Sequence, residues 1–234
     1  MRYDRYGYNR YSNRDDYFSA DEKKIKRDFM NYADPKTKKI NEVGYEKMGK
    51  TLGIDIYTDT FMTYFSYKCG QKSIEYITEE EYSKGLKNLR CNTLEELKKK
   101  ILNVREDLLN VHTDDFLNFF YFLFDFNVPG DSEVEKKKKT LSYDIVEVYF
   151  KALFCNQFKF VGEFLQFLKA KNVGLKWDEW RVFLDLIRNL GATFPKDYNI
   201  AGHYCLIYDE FYRSYCTNHN IKIVDPYADE EEDD

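Results

Sequence analysis

The chain has 234 residues, with 36 lysines and arginines against 41 aspartates and glutamates, which gives a net charge of −5 at pH 7. That balance is typical of a globular protein and argues against general nucleic-acid binding, which favours a basic domain. With only 11 glycines and 4 prolines, long helices with short connections are favoured over collagen-like or turn-rich β architectures. No run approaches the ~18 apolar residues of a membrane span, so we expect no membrane partner.

The two ends of the chain differ from the part between them. Residues 1–18 are rich in tyrosine and arginine and show no hydrophobic period, which predicts a disordered tail. Such a tail could stack on RNA bases, but it is short and has no RGG repeat, so we interpret it as a disordered leader. Residues 223–234 end in a run of aspartate and glutamate that predicts a solvated acidic tail. Residues 19–222 remain as one domain.

Helix start signals and apolar faces recur through that domain. Residues 19–22, 78–81 and 93–96 each fit a capping box, in which a hydroxyl and a carboxylate satisfy orphan backbone N–H groups. Apolar side chains then repeat at spacings of three and four, as expected of one helix face. Three such sets are Phe61, Tyr64, Phe65 and Cys69; Leu94, Leu97, Ile101, Val104 and Leu108; and Trp180, Phe183, Leu184 and Ile187.

One segment could be a strand or a helix. Residues 120–126 carry aromatic side chains at alternate positions, which is typical of a strand. Nearly every neighbour is also apolar, however, and a buried helix can be hydrophobic all round. Since no comparable second strand is present to pair with it, we predict a helix here and an all-α fold.

Two sets of residues deserve a test as metal ligands. Asp34 lies between two helical patterns, like the first residue of a calcium loop, but Lys36 and Lys38 follow where oxygen ligands are needed. His203, Cys205, Cys216 and His219 offer four possible zinc ligands. Cys205 is flanked by apolar residues, and a cysteine in such a run is usually a core residue. We therefore predict no metal and no cofactor.

The sequence contains no recognisable catalytic motif. Its three histidines adjoin no candidate nucleophile, and it has no glycine-rich phosphate loop. The five cysteines are scattered and never form a CxxC pair, which is typical of reduced thiols in an intracellular protein. On these features alone, we predict a helical interaction protein that is not an enzyme.

Taken in order, the landmarks of the chain resemble one family. They are Tyr32, Asp34 and Pro35 before Ile40 and Gly44; residues 66–68; residues 78–85; Leu89, Cys91, Leu94 and Leu97; residues 119–126; residues 158–160; Trp177, Asp178 and Trp180; and Tyr198, Gly202, Ile207, Asp209 and Phe211. Together they resemble the defective-in-cullin-neddylation family, whose shared unit is the potentiating-neddylation domain. The resemblance covers roughly residues 21–215, with tyrosine or phenylalanine at several positions where the family has tryptophan.

The resemblance implies a fold and a function. The fold is a single all-α domain whose amino-terminal half resembles degenerate, metal-free EF-hands. The function is that of a scaffold-type co-ligase without a catalytic cysteine. As a monomer in the cytoplasm or nucleus, it holds a cullin winged-helix domain and the acetylated neddylation conjugating enzyme together, so that the ubiquitin-like modifier passes to the cullin. Ordering two partners in this way can supply several kcal/mol of catalysis without a chemical group.

The resemblance also implies two sites. The cullin-facing patch of the family has two aspartates and a small alanine, and Asp178, His203 and Asp209 stand at those positions. The bulkier His203 puts the identity of the cullin in question. The second site is an apolar pocket for the acetylated first methionine of the conjugating enzyme, and the matching residues are Met62, Phe65, Ser66, Cys69, Ile77 and Phe126. The alternative function is a helical adaptor that keeps the fold but not cullin binding.

Overall fold

The computed structural model describes residues 18–128, 132, 134–135, 138–200, 202 and 204–223. Within these residues the chain forms ten α-helices and one short antiparallel ladder. In chain order they are α1 (Glu22–Tyr32), α2 (Glu42–Leu52), α3 (Phe61–Cys69), α4 (Glu79–Asn88), α5 (Leu94–Leu108), α6 (Asp114–Asn127), β1 (Thr140–Leu141), α7 (Tyr143–Leu153), α8 (Phe160–Lys171), β2 (Leu175–Lys176), α9 (Trp177–Leu190) and α10 (Leu206–Asn218). The all-α prediction is confirmed. The predicted tails lie outside the described residues, apart from residues 18 and 223.

Two of the three predicted helix starts are correct. The Thr78 side chain accepts a hydrogen bond from the backbone of Glu81, whose carboxylate reaches back to Thr78. The Thr93 hydroxyl likewise caps α5. The first start is wrong, because Asp21 rather than Ser19 is the N-cap of α1. Its backbone N–H donates to the side chain of Asn92 at 2.8 Å, so a contact distant in sequence fixes that residue.

The phenylalanine-rich segment is the helix α6, as predicted. Phe120 lies at its centre, and its ring stacks on the indole of Trp180 with 4.2 Å between centroids. The indole N–H donates to the Phe120 carbonyl oxygen at 2.9 Å. Both side chains are fully buried. Because α6 packs against both α3 and α9, residues 116–124 in the middle of this helix are almost all apolar.

The amino-terminal half consists of two helix–loop–helix units, α1–α2 and α3–α4. Ile40 and Ile77, one from each interhelical loop, exchange two backbone hydrogen bonds of 2.9 Å. Both side chains are fully buried in a core shared with the start of α5. The likeness of this half to EF-hands stays a prediction.

The carboxyl-terminal half packs α6 to α10 around a larger aromatic core. The two halves meet where α3 contacts α6. There, the Asp115 carboxylate accepts hydrogen bonds from the hydroxyl of Tyr64 at 2.7 Å and from Lys68 at 2.5 Å.

The sequence gives no sign of the β1–β2 ladder, which pairs Leu141 with Leu175. No helix in the described part of the chain is long and apolar enough to cross a membrane.

Candidate functional site

Helices α9 and α10 begin side by side. The hydroxyl of Tyr208, in the first turn of α10, donates a hydrogen bond to the carbonyl oxygen of Glu179, in the first turn of α9. Tyr208 is almost fully buried, at 1% exposure, so this bond fixes the two helix starts relative to each other. Residues of the two first turns therefore share one surface, which we call the acidic face: Asp178, Glu179 and Asp209.

The two aspartates predicted to bind a partner both lie on this acidic face. Asp178 is exposed and Asp209 is half-buried. Each lies in a first helical turn, where the helix dipole favours negative charge. The Asp209 carboxylate also accepts a hydrogen bond of 2.6 Å from the Tyr198 hydroxyl. Burial, reinforced by that carboxylate, raises the pKa of Tyr198, so the hydroxyl remains a donor at neutral pH.

Cys205 lies near all three residues of the acidic face. It is the N-cap residue of α10 and is half-buried. Burial raises the pKa of its thiol, and the nearby charges of Glu179, Asp178 and Asp209 raise it further. The Cys205 thiol therefore lies within electrostatic range of all three carboxylates of the acidic face. The third predicted residue, His203, lies outside the described residues.

The exposed surface of α9 carries further charges that the sequence analysis did not assign. Arg181 and Asp185 follow Asp178 at spacings of three and seven, which places all three on one helix face. The Arg181 guanidinium lies 5.4 Å from the ring centroid of Tyr121 and 5.8 Å from that of Trp177. The helical spacing from Asp178 is the sequence signal that could have identified them.

Three of the six residues predicted for the apolar pocket line one cavity of about 590 Å³. These are Met62, Ser66 and Phe126. The rest of its wall, which the sequence analysis did not assign, is formed by Glu42, Tyr45, Ile56, Tyr57, Thr63, Ile74, Glu75, Asn127 and Tyr149. The cavity lies between α2, α3, the end of α6 and α7.

The other three predicted pocket residues, Phe65, Cys69 and Ile77, are fully buried in the amino-terminal core. The geometry of α3 explains the division. All four side chains lie on one broad face of the helix, because they are spaced three and four residues apart; Met62 and Ser66 form the row beside the cavity, and Phe65 and Cys69 form the neighbouring row. The sequence pattern predicts this apolar face but does not show which of its two rows borders the cavity.

The wall of the cavity carries uncharged polar groups as well as apolar ones. The Tyr149 hydroxyl accepts a hydrogen bond of 2.9 Å from the Asn127 amide and also contacts Thr63. The Tyr45 hydroxyl faces the side chains of Gln71 and Ser66, and burial raises its pKa. An apolar wall with a few placed hydroxyl and amide groups suits an apolar ligand that carries an amide.

The candidate metal ligands that the structure describes are not brought together. The Asp34 carboxylate accepts hydrogen bonds of 2.8 Å from the backbone N–H groups of Lys36 and Thr37, which close its own loop. Cys216 is fully buried, whereas His219 contacts the Glu163 carboxylate at 2.9 Å on the surface. Across the residues that the structure covers, no three His, Cys, Asp or Glu side chains are grouped to hold a metal ion.

A family model described as cullin binding matches residues 96–214. That segment contains Asp178 and Asp209 of the acidic face, and of the predicted cavity residues it contains Phe126. A search of curated proteins found no match to the chain.

Proposed function

The chain belongs to the cullin-binding family, that is, the defective-in-cullin-neddylation family with its potentiating-neddylation domain, and on that premise we propose that it is a scaffold-type co-ligase for cullin neddylation. In this role it holds a cullin and a modifier-charged conjugating enzyme together. Its contribution is proximity and orientation, which lower the barrier to transfer without a catalytic side chain.

The observation that carries the proposal is the acidic face within the matched segment. Asp178 and Asp209 lie on adjacent helix starts that a buried tyrosine fixes in place. Carboxylates on such a surface complement a basic surface, and that complementarity sets register and the rate of encounter. We assign this face to the winged-helix domain of the cullin.

We assign the cavity to the acetylated amino terminus of the conjugating enzyme. Its deep wall is apolar or neutral, because Met62, Ser66 and Tyr149 are each at most 8% exposed and uncharged. An ammonium group placed against these three side chains would lose its water without a counter-charge among them, which costs several kcal/mol. An acetylated methionine has no such charge, and its amide can bond to the hydroxyl and amide groups of the wall.

The chemistry of the cysteines supports a non-catalytic role. A cysteine that forms a thioester works best with a lowered pKa. Here burial raises the pKa of Cys69, Cys91, Cys155 and Cys205, and Cys216 is fully buried. We further propose that the protein acts as a monomer in the cytoplasm or nucleus. Light scattering of the purified chain tests whether it is a monomer.

The deciding experiment measures discharge of a modifier-charged conjugating enzyme onto a cullin winged-helix domain, with and without this protein. We expect faster transfer when the protein is present and no modifier bound to its own cysteines. No acceleration, together with no capture of the cullin in a pull-down, would favour a helical adaptor that keeps the fold but not the activity.

A further inference from the structure

The mouth of the cavity is both apolar and strongly acidic. Tyr57 and Ile74 line it and are 67% and 64% exposed, so they offer apolar surface to a ligand outside the cavity itself. Glu42 and Glu75 also line it, and both are exposed. Glu46 adds a further charge, because it contacts the hydroxyl of Tyr57.

The acidic character continues along the surface. A second cavity of about 280 Å³ shares Ile56, Tyr57, Thr63, Asn127 and Tyr149 with the first. It adds the apolar side chains of Ile145 and Val148 and the carboxylates of Asp59 and Asp144. Asp59 is paired with Arg105, which lies outside both cavities. Neither of these two cavities is lined by a lysine or an arginine among the described residues.

From this charge pattern, we propose that the segment entering the cavity is basic beyond its apolar end. Its first residue is neutral and apolar to suit the deep wall, and lysine or arginine follows where the chain passes Glu42, Glu46 and Glu75. The inference rests on the proposed function, since it describes the conjugating-enzyme segment assigned to this cavity. Within a Debye length of about 10 Å, such charges attract a basic chain and repel an acidic one.

The test uses three acetylated peptides that begin with methionine and differ only at three later positions, which are lysine, glutamine or glutamate. Binding to the full-length protein is measured by calorimetry at low and at high salt. We expect the lysine peptide to bind roughly tenfold more tightly than the glutamine peptide at low salt, because exposed charge pairs each contribute modestly. The glutamate peptide should bind most weakly, and the differences should shrink at high salt.

Two double variants locate the effect. Glu42→Gln with Glu75→Gln removes charge from the cavity mouth, whereas Glu95→Gln with Glu106→Gln removes the same net charge from the exposed side of α5. Glu42 and Glu95 each lie in a first helical turn, so the loss of helix-dipole interaction is matched. We expect only the first double variant to lose most of the preference for lysine.

Three outcomes would overturn the inference. Equal binding of all three peptides would do so while leaving the cavity as a site for an acetylated methionine. An equal loss of preference in both double variants would reduce the effect to net charge. No binding of any peptide would remove both this inference and the proposed conjugating-enzyme site.

Discussion

The hydroxyl of Tyr198 donates a hydrogen bond of 2.6 Å to the carboxylate of Asp209. Asp209 is therefore held by its own fold while it presents a charge on the acidic face. Replacing it with alanine would remove the charge and also leave the Tyr198 hydroxyl without its acceptor, so that two effects would be mixed. Asparagine keeps an acceptor oxygen and removes only the charge, which makes it the better test.

Asp178→Asn combined with Asp209→Asn should weaken binding of a cullin winged-helix domain by roughly tenfold, or about 1.4 kcal/mol. The loss should be smaller at high salt, because the interaction is between charges. The melting temperature should change little. Binding is measured by calorimetry or surface plasmon resonance at two salt concentrations.

The matched control is Asp114→Asn, since Asp114 is also exposed in the first turn of a helix, α6. It should leave cullin binding unchanged. If the control weakens binding as much as the double variant does, or if the double variant binds normally, the acidic face is not the cullin site.

The convergence of acids on Cys205 can be tested without any partner. Burial raises the pKa of its thiol first, and Glu179, Asp178 and Asp209 add to the effect. In a Cys155→Ser background, which removes the other half-buried thiol, alkylation of Cys205 should follow a pH profile displaced upward. Asp178→Asn with Asp209→Asn should move that profile to lower pH, as nearby anions no longer oppose the thiolate. An unmoved profile would show that the aspartates lie too far from the thiol.

The local features of this fold were the most predictable from the sequence. Thr78 and Thr93 were identified as caps because a capping box is a contact within four residues. The same pattern predicts Ser19 as the first cap, but Asp21 takes that position and its carboxylate accepts the capping bond from the Lys24 backbone N–H. The bond to Asn92, which also fixes Asp21, spans 71 residues of sequence. Sequence spacing carries no record of such long-range contacts.

The same limit divides the candidate sites. Asp178 and Asp209 were predicted from the family resemblance. Their position side by side depends on the hydrogen bond from Tyr208 to Glu179, which no spacing rule predicts. In α3, the periodicity predicts one apolar face but does not show which of its rows borders the cavity. Met62 and Ser66 face the cavity only because α6 and α7 leave space beside them, whereas Phe65 and Cys69 meet the core of α4 and α5.

The cavity assignment predicts selection for an acetylated amino end. A methionine peptide of the conjugating-enzyme type should bind at least roughly tenfold more tightly when acetylated, because an unpaired ammonium group is costly in an apolar site. Thr63→Phe should fill the cavity and abolish that binding. Thr63→Val removes the same hydroxyl without adding a ring, so it should bind nearly normally.

Calorimetric titration with both peptides decides this, and the melting temperature of each variant shows that it is folded. Equal affinity for acetylated and free peptides would mean that the cavity does not recognise the amino end. Binding to Thr63→Phe as tight as to the wild type would place the peptide elsewhere.

Gly174 should be required for the contact between β1 and β2. A β-carbon there would lie 1.9 Å from the carbonyl oxygen of Leu141, which belongs to the backbone and cannot turn aside. Gly174→Ala should therefore lower the free energy of unfolding by about 3 kcal/mol or more. Gly162→Ala is the control, because nothing lies within 4 Å of its β-carbon position in α8, and it should stabilise the protein by about 0.5–1 kcal/mol. Denaturant titration measures both, and equal stabilities would contradict the close approach.

The junction between the two halves should be sensitive to acid through Asp115. Burial alone would raise the pKa of this carboxyl, but hydrogen bonds from Lys68 and Tyr64 together outweigh it and lower the pKa below its ordinary value of 3.8. A carboxyl whose pKa is lowered in the folded state stabilises the fold at pH values above its ordinary pKa, and this stabilisation is lost as the pH falls through the lowered pKa.

Asp115→Asn should therefore lower the free energy of unfolding by about 1 kcal/mol near pH 6, a modest amount because water screens the partly exposed carboxylate. The difference from wild type should shrink as the pH falls below 3.8 and through the lowered pKa. Denaturant titrations across this range test it, with Asp114→Asn as the neighbouring control, and a difference that does not vary with pH would show that the charge of Asp115 does not join the halves.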